Sequence, residues 1–95
     1  PVDGKYAEEM MIKIPNWTLS KDYKKITKKI TFDDFGEAMI FINEVGSIAE
    51  TENHHPDIHL TNYKEVCIDL TTHTIGGLSE NDFIIASKID NISIN

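Results

Sequence analysis

The chain has 95 residues, of which 40% are hydrophobic and 26% charged, a balance typical of one soluble globular domain spanning residues 1–95. Its net charge of −7 argues against direct binding to nucleic acid or to an anionic membrane, because both partners are polyanions. No apolar run approaches the roughly 18 residues that a membrane span needs.

The cysteine content and the first residues bear on the cellular compartment. The single cysteine, Cys67, excludes an intramolecular disulfide bond and agrees with a reducing compartment. No signal-peptide pattern opens the sequence. We therefore expect a cytoplasmic protein, or one shared between cytoplasm and nucleus. Because the chain begins at Pro1 rather than at Met, an upstream targeting segment would lie outside the sequence.

The N-terminal third predicts a short helix followed by a strand. Residues 6–14 carry a weak helical pattern that Pro15 would end. Residues 24–32 alternate as a strand with one buried face should. The apolar residues on that face are Ile26, Ile30 and Phe32. Lys28 shares their parity, so we expect it to lie near a sheet edge or to reach a partner.

The middle of the chain predicts an amphipathic helix that covers a sheet. Asp33 and Asp34 open it, since carboxylates suit the unpaired amides of a helix N-terminus. One apolar stripe follows at helical spacing, formed by Phe35, Met39, Ile42, Val45 and Ala49. We interpret this stripe as core. The helix must end before Pro56, because proline disfavours helical geometry in the residue before it.

Two further strands are predicted after that helix, a short one around residues 58–61 and a longer one over 63–73. In the longer strand, Val66, Ile68 and Leu70 point one way and Glu65, Cys67 and Asp69 the other. This alternation is typical of a strand with one buried face.

The C-terminal part predicts a last helix after a glycine turn at 76–77. Ser79 can cap it, with Asp82 three residues later in a capping-box arrangement, and Leu78 and Phe83 occupy the positions of a hydrophobic staple. Its buried stripe comprises Ile85, Ile89 and Ile92. The order β-β-α-β-β-α, with short connections, favours an α+β fold whose antiparallel sheet carries helices on one face.

All four histidines lie between residues 54 and 73, which raises the question of a metal site. His55 and His59 have the spacing of paired helical ligands, but Pro56 between them forbids that helix. Cys67 and His73 would lie about 20 Å apart along a straight strand. A zinc site needs three or four convergent ligands, so we expect no metal site here.

An acid–base site fits the histidines better. His54 and His55 fall at a helix-to-strand junction, and His73 ends a strand just before a glycine turn. Imidazole titrates near pH 6.5 in model compounds, so it can give or take a proton near neutral pH. Two such groups on either side of a substrate could serve as acid and base. Spacing alone leaves the alternative of inert surface histidines open.

One ordered set of positions resembles a known signature. Glu50 is followed after three residues by His54-His55-Pro56, after six more by Tyr63, after nine by His73 and after eight by Asp82. This pattern resembles that of the pterin-4a-carbinolamine dehydratases, small pterin-recycling enzymes also known as dimerization cofactors of a homeodomain transcription factor. The similarity extends over residues 17–92 and includes "HHPDIHLTNY" (54–63) and "THTIGGLSENDF" (72–83).

The resemblance implies a four-stranded antiparallel sheet with helices on one side and a homodimer or homotetramer. It also implies dehydration of 4a-hydroxytetrahydropterin to quinonoid dihydropterin, a hydro-lyase reaction in tetrahydrobiopterin recycling. No metal and no organic cofactor are expected. The expected partner is therefore the small-molecule pterin, with neither nucleic acid nor membrane involved.

The resemblance also assigns roles to residues. His54 and His73 become the acid–base pair, and His55 binds and orients the substrate and can share in proton transfer. Three further positions become candidate substrate contacts: Glu50, Thr72 and Asp82. Asp82 has a second interpretation as a helix cap or a histidine partner, and Glu50 one as an ordinary exposed helix residue.

The sequence leaves two other classes of function open. The vertebrate relatives also stabilise a transcription-factor dimer, so the chain could be a protein-interaction module. It could also be a small-ligand-binding scaffold without activity, although a pure binder has no need of three proton carriers.

Overall fold

The computed structural model describes residues 1–93 and contains a four-stranded antiparallel sheet with three helices. The helices are α1 (Gly4–Met11), α2 (Phe35–Glu52) and α3 (Glu80–Asp90), and the strands are β1 (Thr18–Leu19), β2 (Ile26–Thr31), β3 (Asp57–Thr61) and β4 (Glu65–Leu70). The strand order in the sheet is β1-β2-β4-β3. The predicted α+β class and the four-stranded antiparallel sheet are confirmed. Within residues 1–93, no helix combines the length and the apolar character that crossing a bilayer requires.

The central strands β2 and β4 carry the core on one face. Ile26 pairs with Leu70 and Ile30 with Val66 in the antiparallel register. Val66, Ile68 and Leu70 are buried, whereas Glu65 is exposed and Cys67 and Asp69 are half-buried on the other face. The predicted alternation of β4 is therefore confirmed. The strand itself ends at Leu70, three residues earlier than predicted.

Lys28 reaches a partner, as its position on the buried face requires. Its Nζ lies 2.5 Å from Oδ1 of Asp90 at the end of α3. The indole Nε1 of Trp17 donates to the same oxygen at 2.9 Å. Since the Lys28 residue is only 9% exposed, this carboxylate compensates a nearly buried cation and ties the sheet to α3 and to the segment before β1.

The buried face of α2 differs from the predicted stripe. Asp34 caps the helix as predicted, accepting from the Glu37 amide at 2.8 Å. The buried residues are Ala38, Phe41, Val45 and Ala49, whereas Phe35 is 52% exposed and Met39 and Ile42 are half-buried. Residues 38–42 are all apolar, so periodicity alone fits several neighbouring stripes. Packing decides between them: the ring of Phe41 lies 5.2 Å from that of Phe32, between centroids.

The last helix follows the prediction closely. Asp82 accepts from the Ser79 amide at 3.0 Å, and Leu78 and Phe83 are both buried. The buried residues of α3 also include Ile85, Ala86 and Ile89, while Ile92 is half-buried beyond the helix end. α3 packs on α2, and α2 packs on β4, so the helices cover the apolar face of the sheet.

Replacing Lys28 by Met should lower the free energy of unfolding by about 1–3 kcal/mol, because Asp90 then loses its cationic donor in a partly buried place. Urea unfolding followed by far-UV circular dichroism measures this loss. Lys29→Met, on the exposed face of the same strand, is the matched control and should change stability by less than about 0.5 kcal/mol. Equal losses of stability in the two variants would contradict a stabilising ion pair between Lys28 and Asp90.

Candidate active site

The two histidine-bearing segments meet at the N-terminus of α3. The first segment leaves α2 at Asn53, which adopts the left-handed conformation with φ of 52°. The amide of His54 donates back to the Ala49 carbonyl at 3.1 Å, so the chain is still hydrogen-bonded to the helix as it turns out of it. Asparagine tolerates this conformation better than most residues. His54 and His55 therefore follow directly on this turn at the end of α2.

The second segment is the loop between β4 and α3, which carries His73. His73 begins a short 3-10 helix, His73–Ile75, and does not end a strand as predicted. The Thr72 amide donates to the Gly77 carbonyl at 2.8 Å, which closes the loop at its base. Gly76 completes the turn with φ of 69°, a value that glycine adopts without strain. The His73 side chain is exposed on this loop.

The carboxylate of Asp82 joins the two segments. It is fully buried, with 0% exposure. Its Oδ1 lies 2.5 Å from Nε2 of His54, and its Oδ2 accepts from the Thr72 hydroxyl at 2.8 Å and from the Ser79 amide at 3.0 Å. One side chain therefore fixes the end of α2, the base of the His73 loop and the start of α3.

The bond to Asp82 also determines the tautomer of neutral His54. A carboxylate can only accept, so Nε2 must carry the hydrogen and Nδ1 must carry the lone pair. Nδ1 makes no hydrogen bond within residues 1–93, and no buried polar side-chain atom in that range lacks a partner. Nδ1 is consequently open to solvent or to a ligand, and it is the atom of His54 that can exchange a proton with a substrate.

His55 and Glu50 form a second pair on the surface next to this site. Nε2 of His55 bonds to Oε2 of Glu50, with 58% and 78% of the two side chains exposed. Both groups remain accessible to a ligand from the solvent side. Exposed pairs of this kind contribute little to stability, so either group can exchange its partner for a ligand at low cost.

Thr72, Asp82 and Ser79 lie at this site with their polar groups already occupied. Thr72 and Asp82 were predicted as substrate contacts, yet the Asp82 side chain is buried and both bond to protein groups. Ser79 was predicted only as a cap, but its hydroxyl lies 2.8 Å from that of Thr72. The sequence does indicate that the Thr72 hydroxyl needs a partner of this kind. Thr72 continues the buried parity of Val66, Ile68 and Leu70, so an inward hydroxyl there needs a partner.

His59 lies outside this arrangement, on the opposite face of the sheet. Its Nε2 is 3.5 Å from Oδ2 of Asp69. Within residues 1–93, no three His, Cys, Asp or Glu side chains are grouped so that they could hold a metal ion. Two clefts of about 320 Å³ also lie elsewhere, one along α2 and one across β2 and β4, and neither is lined by a histidine.

Comparison with known proteins assigns the class. The family model described as pterin 4 alpha carbinolamine dehydratase matches residues 1–92. A Halorhodospira halophila protein provisionally given that enzyme name is 43% identical over 95% of this chain and 82% of its own length. Pterin-4-alpha-carbinolamine dehydratase 2, mitochondrial, of Arabidopsis thaliana is 39% identical over 93% of this chain, which spans about half (48%) of the plant protein. The chain belongs to the pterin-4a-carbinolamine dehydratase family.

Solved structures agree with this assignment. A crystal structure of a Brucella melitensis protein, described as a transcriptional coactivator/pterin dehydratase, has a TM-score of 0.86 and 27% identity, with 94% of each chain covered. A pterin dehydratase-like protein described as a RuBisCO assembly factor of the alpha-carboxysome has a TM-score of 0.66 and 20% identity, and it covers 79% of this chain and 86% of its own. The second likeness shows the shared fold alone.

Replacing Asp82 by Ala should lower the free energy of unfolding by about 2–4 kcal/mol. The change removes the acceptor at the start of α3 and leaves His54 and Thr72 without their buried partner. Chemical unfolding measures the effect. Asp33→Ala is the matched control, because the Asp33 carboxylate is exposed and makes no hydrogen bond within residues 1–93. A loss no larger than that of the control would contradict the central place of Asp82.

Proposed function

We propose that this protein dehydrates a 4a-hydroxytetrahydropterin to the quinonoid dihydropterin and water. Membership of the family supports this reaction class. The observation that carries the proposal is the bond from His54 to the buried Asp82, which leaves one imidazole nitrogen free for proton transfer.

The reaction requires two proton transfers and no redox change. The 4a-hydroxyl is a poor leaving group as hydroxide, so a general acid gives it a proton and the C–O bond breaks with loss of water. A ring N–H loses its proton to a general base, and its electron pair forms the new C=N bond. One proton enters and one leaves, so the enzyme needs one acid and one base.

His54 and His73 are the proposed acid–base pair. Asp82 is placed to stabilise the imidazolium that forms when Nδ1 of His54 takes a proton, which suits His54 to the role of base. His73 then protonates the leaving hydroxyl from its exposed position on the loop. The two residues come from segments that Asp82 holds together.

The surface pair supplies binding and orientation. The Glu50 carboxylate can accept hydrogen bonds from the amino and ring N–H groups of a pterin when His55 releases it. His55 then orients the ring and can share in proton transfer. Thr72 and Asp82 act in this proposal as positioning residues, because their hydrogen-bonding groups are already engaged.

The wider setting is also part of the proposal. The protein would act in tetrahydrobiopterin recycling, in the cytoplasm, as a homodimer or homotetramer. A second candidate function is a protein-interaction module. Two observations favour it: Phe35 and Ile40 of α2 are 52% and 63% exposed, and the Brucella melitensis relative is described as a transcriptional coactivator as well as a dehydratase.

Replacing His54 or His73 by Ala should each lower kcat about 10²- to 10⁴-fold, because each replacement removes one proton-transfer group. A stopped-flow assay with freshly generated 4a-hydroxypterin measures the loss. His59→Ala is the matched control and should keep the wild-type rate, since His59 lies on the far face of the sheet.

The same variants separate the two candidate functions. Oligomer size, measured by light scattering, should be unchanged in all three variants. Wild-type dehydratase activity in both His54→Ala and His73→Ala would contradict the proposed enzyme function and favour the protein-interaction module.

A further inference from the structure

We propose that the hydroxyls of Ser79 and Thr72 form a directed hydrogen-bond relay to Asp82 that couples the His73 loop to the proton affinity of His54. The inference rests on the proposed dehydratase function and deepens it. It makes Thr72 and Ser79 positioning residues that regulate the acid–base pair without touching the substrate.

The direction of the relay follows from the number of hydrogens available. Asp82 Oδ2 can only accept, so the single hydrogen of the Thr72 hydroxyl points at it across 2.8 Å. The 2.8 Å contact between the Thr72 and Ser79 hydroxyls must then be donated by Ser79. The relay runs from Ser79 through Thr72 to Asp82, and His54 donates to the other oxygen of the same carboxylate.

The relay is attached to the loop that carries His73. Thr72 is the residue immediately before His73, and its backbone is paired with Gly77 on the other side of the loop. The neighbouring Thr71 hydroxyl donates to the Lys24 carbonyl at 2.6 Å, which holds the base of the loop to the turn before β2. A displacement of the loop therefore changes the donors on Asp82 directly.

Those donors set how strongly Asp82 attracts the imidazolium. Hydrogen bonds to Oδ2 draw negative charge away from Oδ1, which faces His54. The Thr72 hydroxyl is one such donor to Oδ2. Without it, the carboxylate holds the protonated ring more tightly, and a base that must be neutral becomes available only at higher pH.

The test compares Thr72→Val, Thr72→Ser and Thr74→Val in the full chain, using the stopped-flow assay across a pH series. On the acidic limb of the pH profile, where His54 must lose its proton before it can act as a base, Thr72→Val should lower kcat about tenfold with less than about threefold change in KM, because the carboxylate then holds the ring in its protonated form. Its acidic limb of activity should move to higher pH. Thr72→Ser keeps the hydroxyl and should restore both the wild-type kcat and the wild-type position of the acidic limb.

Thr74→Val is the matched control, because Thr74 is exposed on the same loop and makes no hydrogen bond within residues 1–93. It should behave as wild type. A Thr72→Val protein with the wild-type kcat and pH profile would overturn the relay, and so would a Thr72→Ser protein that stays as impaired as Thr72→Val.

A failure of the proposed dehydratase function can be distinguished from a failure of the relay. If the wild-type protein turned over no 4a-hydroxypterin at any pH, the dehydratase proposal would fall. The relay would then be judged by NMR of the His54 ring: a pH titration moved upward in Thr72→Val and restored in Thr72→Ser supports it, and identical titrations in all three proteins overturn it.

Discussion

The site depends on one buried carboxylate. Asp82 has no solvent contact, so its charge must be balanced by protein donors. Residues 1–93 supply three of them: the His54 ring, the Thr72 hydroxyl and the Ser79 amide. These donors come from the end of α2, the loop after β4 and the start of α3. Removing a donor from a buried charge is costly, so the interaction that stabilises the junction of three elements also fixes the orientation of the His54 imidazole.

The fold was largely predictable because its elements have strong local signals. The alternation of β4 and the capping positions of α3 each require a specific structure, and the structure agrees with both. Lys28 shows what the sequence could and could not predict. A cation on a buried face needs a partner, but the sequence did not identify that partner as Asp90, which lies 62 positions away. The predicted stripe of α2 was only partly right: Val45 and Ala49 are buried, but Phe35 is exposed. Where residues 38–42 are all apolar, only the tertiary packing of Phe41 selects the buried side.

The sequence indicated residues of the candidate site but not all of the contacts between them. Spacing and family resemblance singled out His54, His55 and His73 and offered a histidine as one possible partner of Asp82. They did not decide which histidine, because the contact with His54 joins residues 28 positions apart. The hydrogen bond from the half-buried Thr72 hydroxyl to Asp82 was likewise not predicted, because it depends on how the loop after β4 packs against α3. Local sequence patterns predict helices and strands. The tautomer of a histidine depends instead on a tertiary contact, and the sequence alone does not identify the residue that makes it.

Asp82 keeps the hydrogen of neutral His54 on Nε2 and leaves Nδ1 open to solvent or to a ligand. The most direct test is ¹⁵N NMR of the histidine rings in the wild-type protein, free and during titration with a dihydropterin product. We expect a protonated Nε2 in both states and a signal change at Nδ1 when the pterin binds. A proton on Nδ1 in the free neutral ring, or a pterin-induced loss of the Nε2 hydrogen, would contradict it.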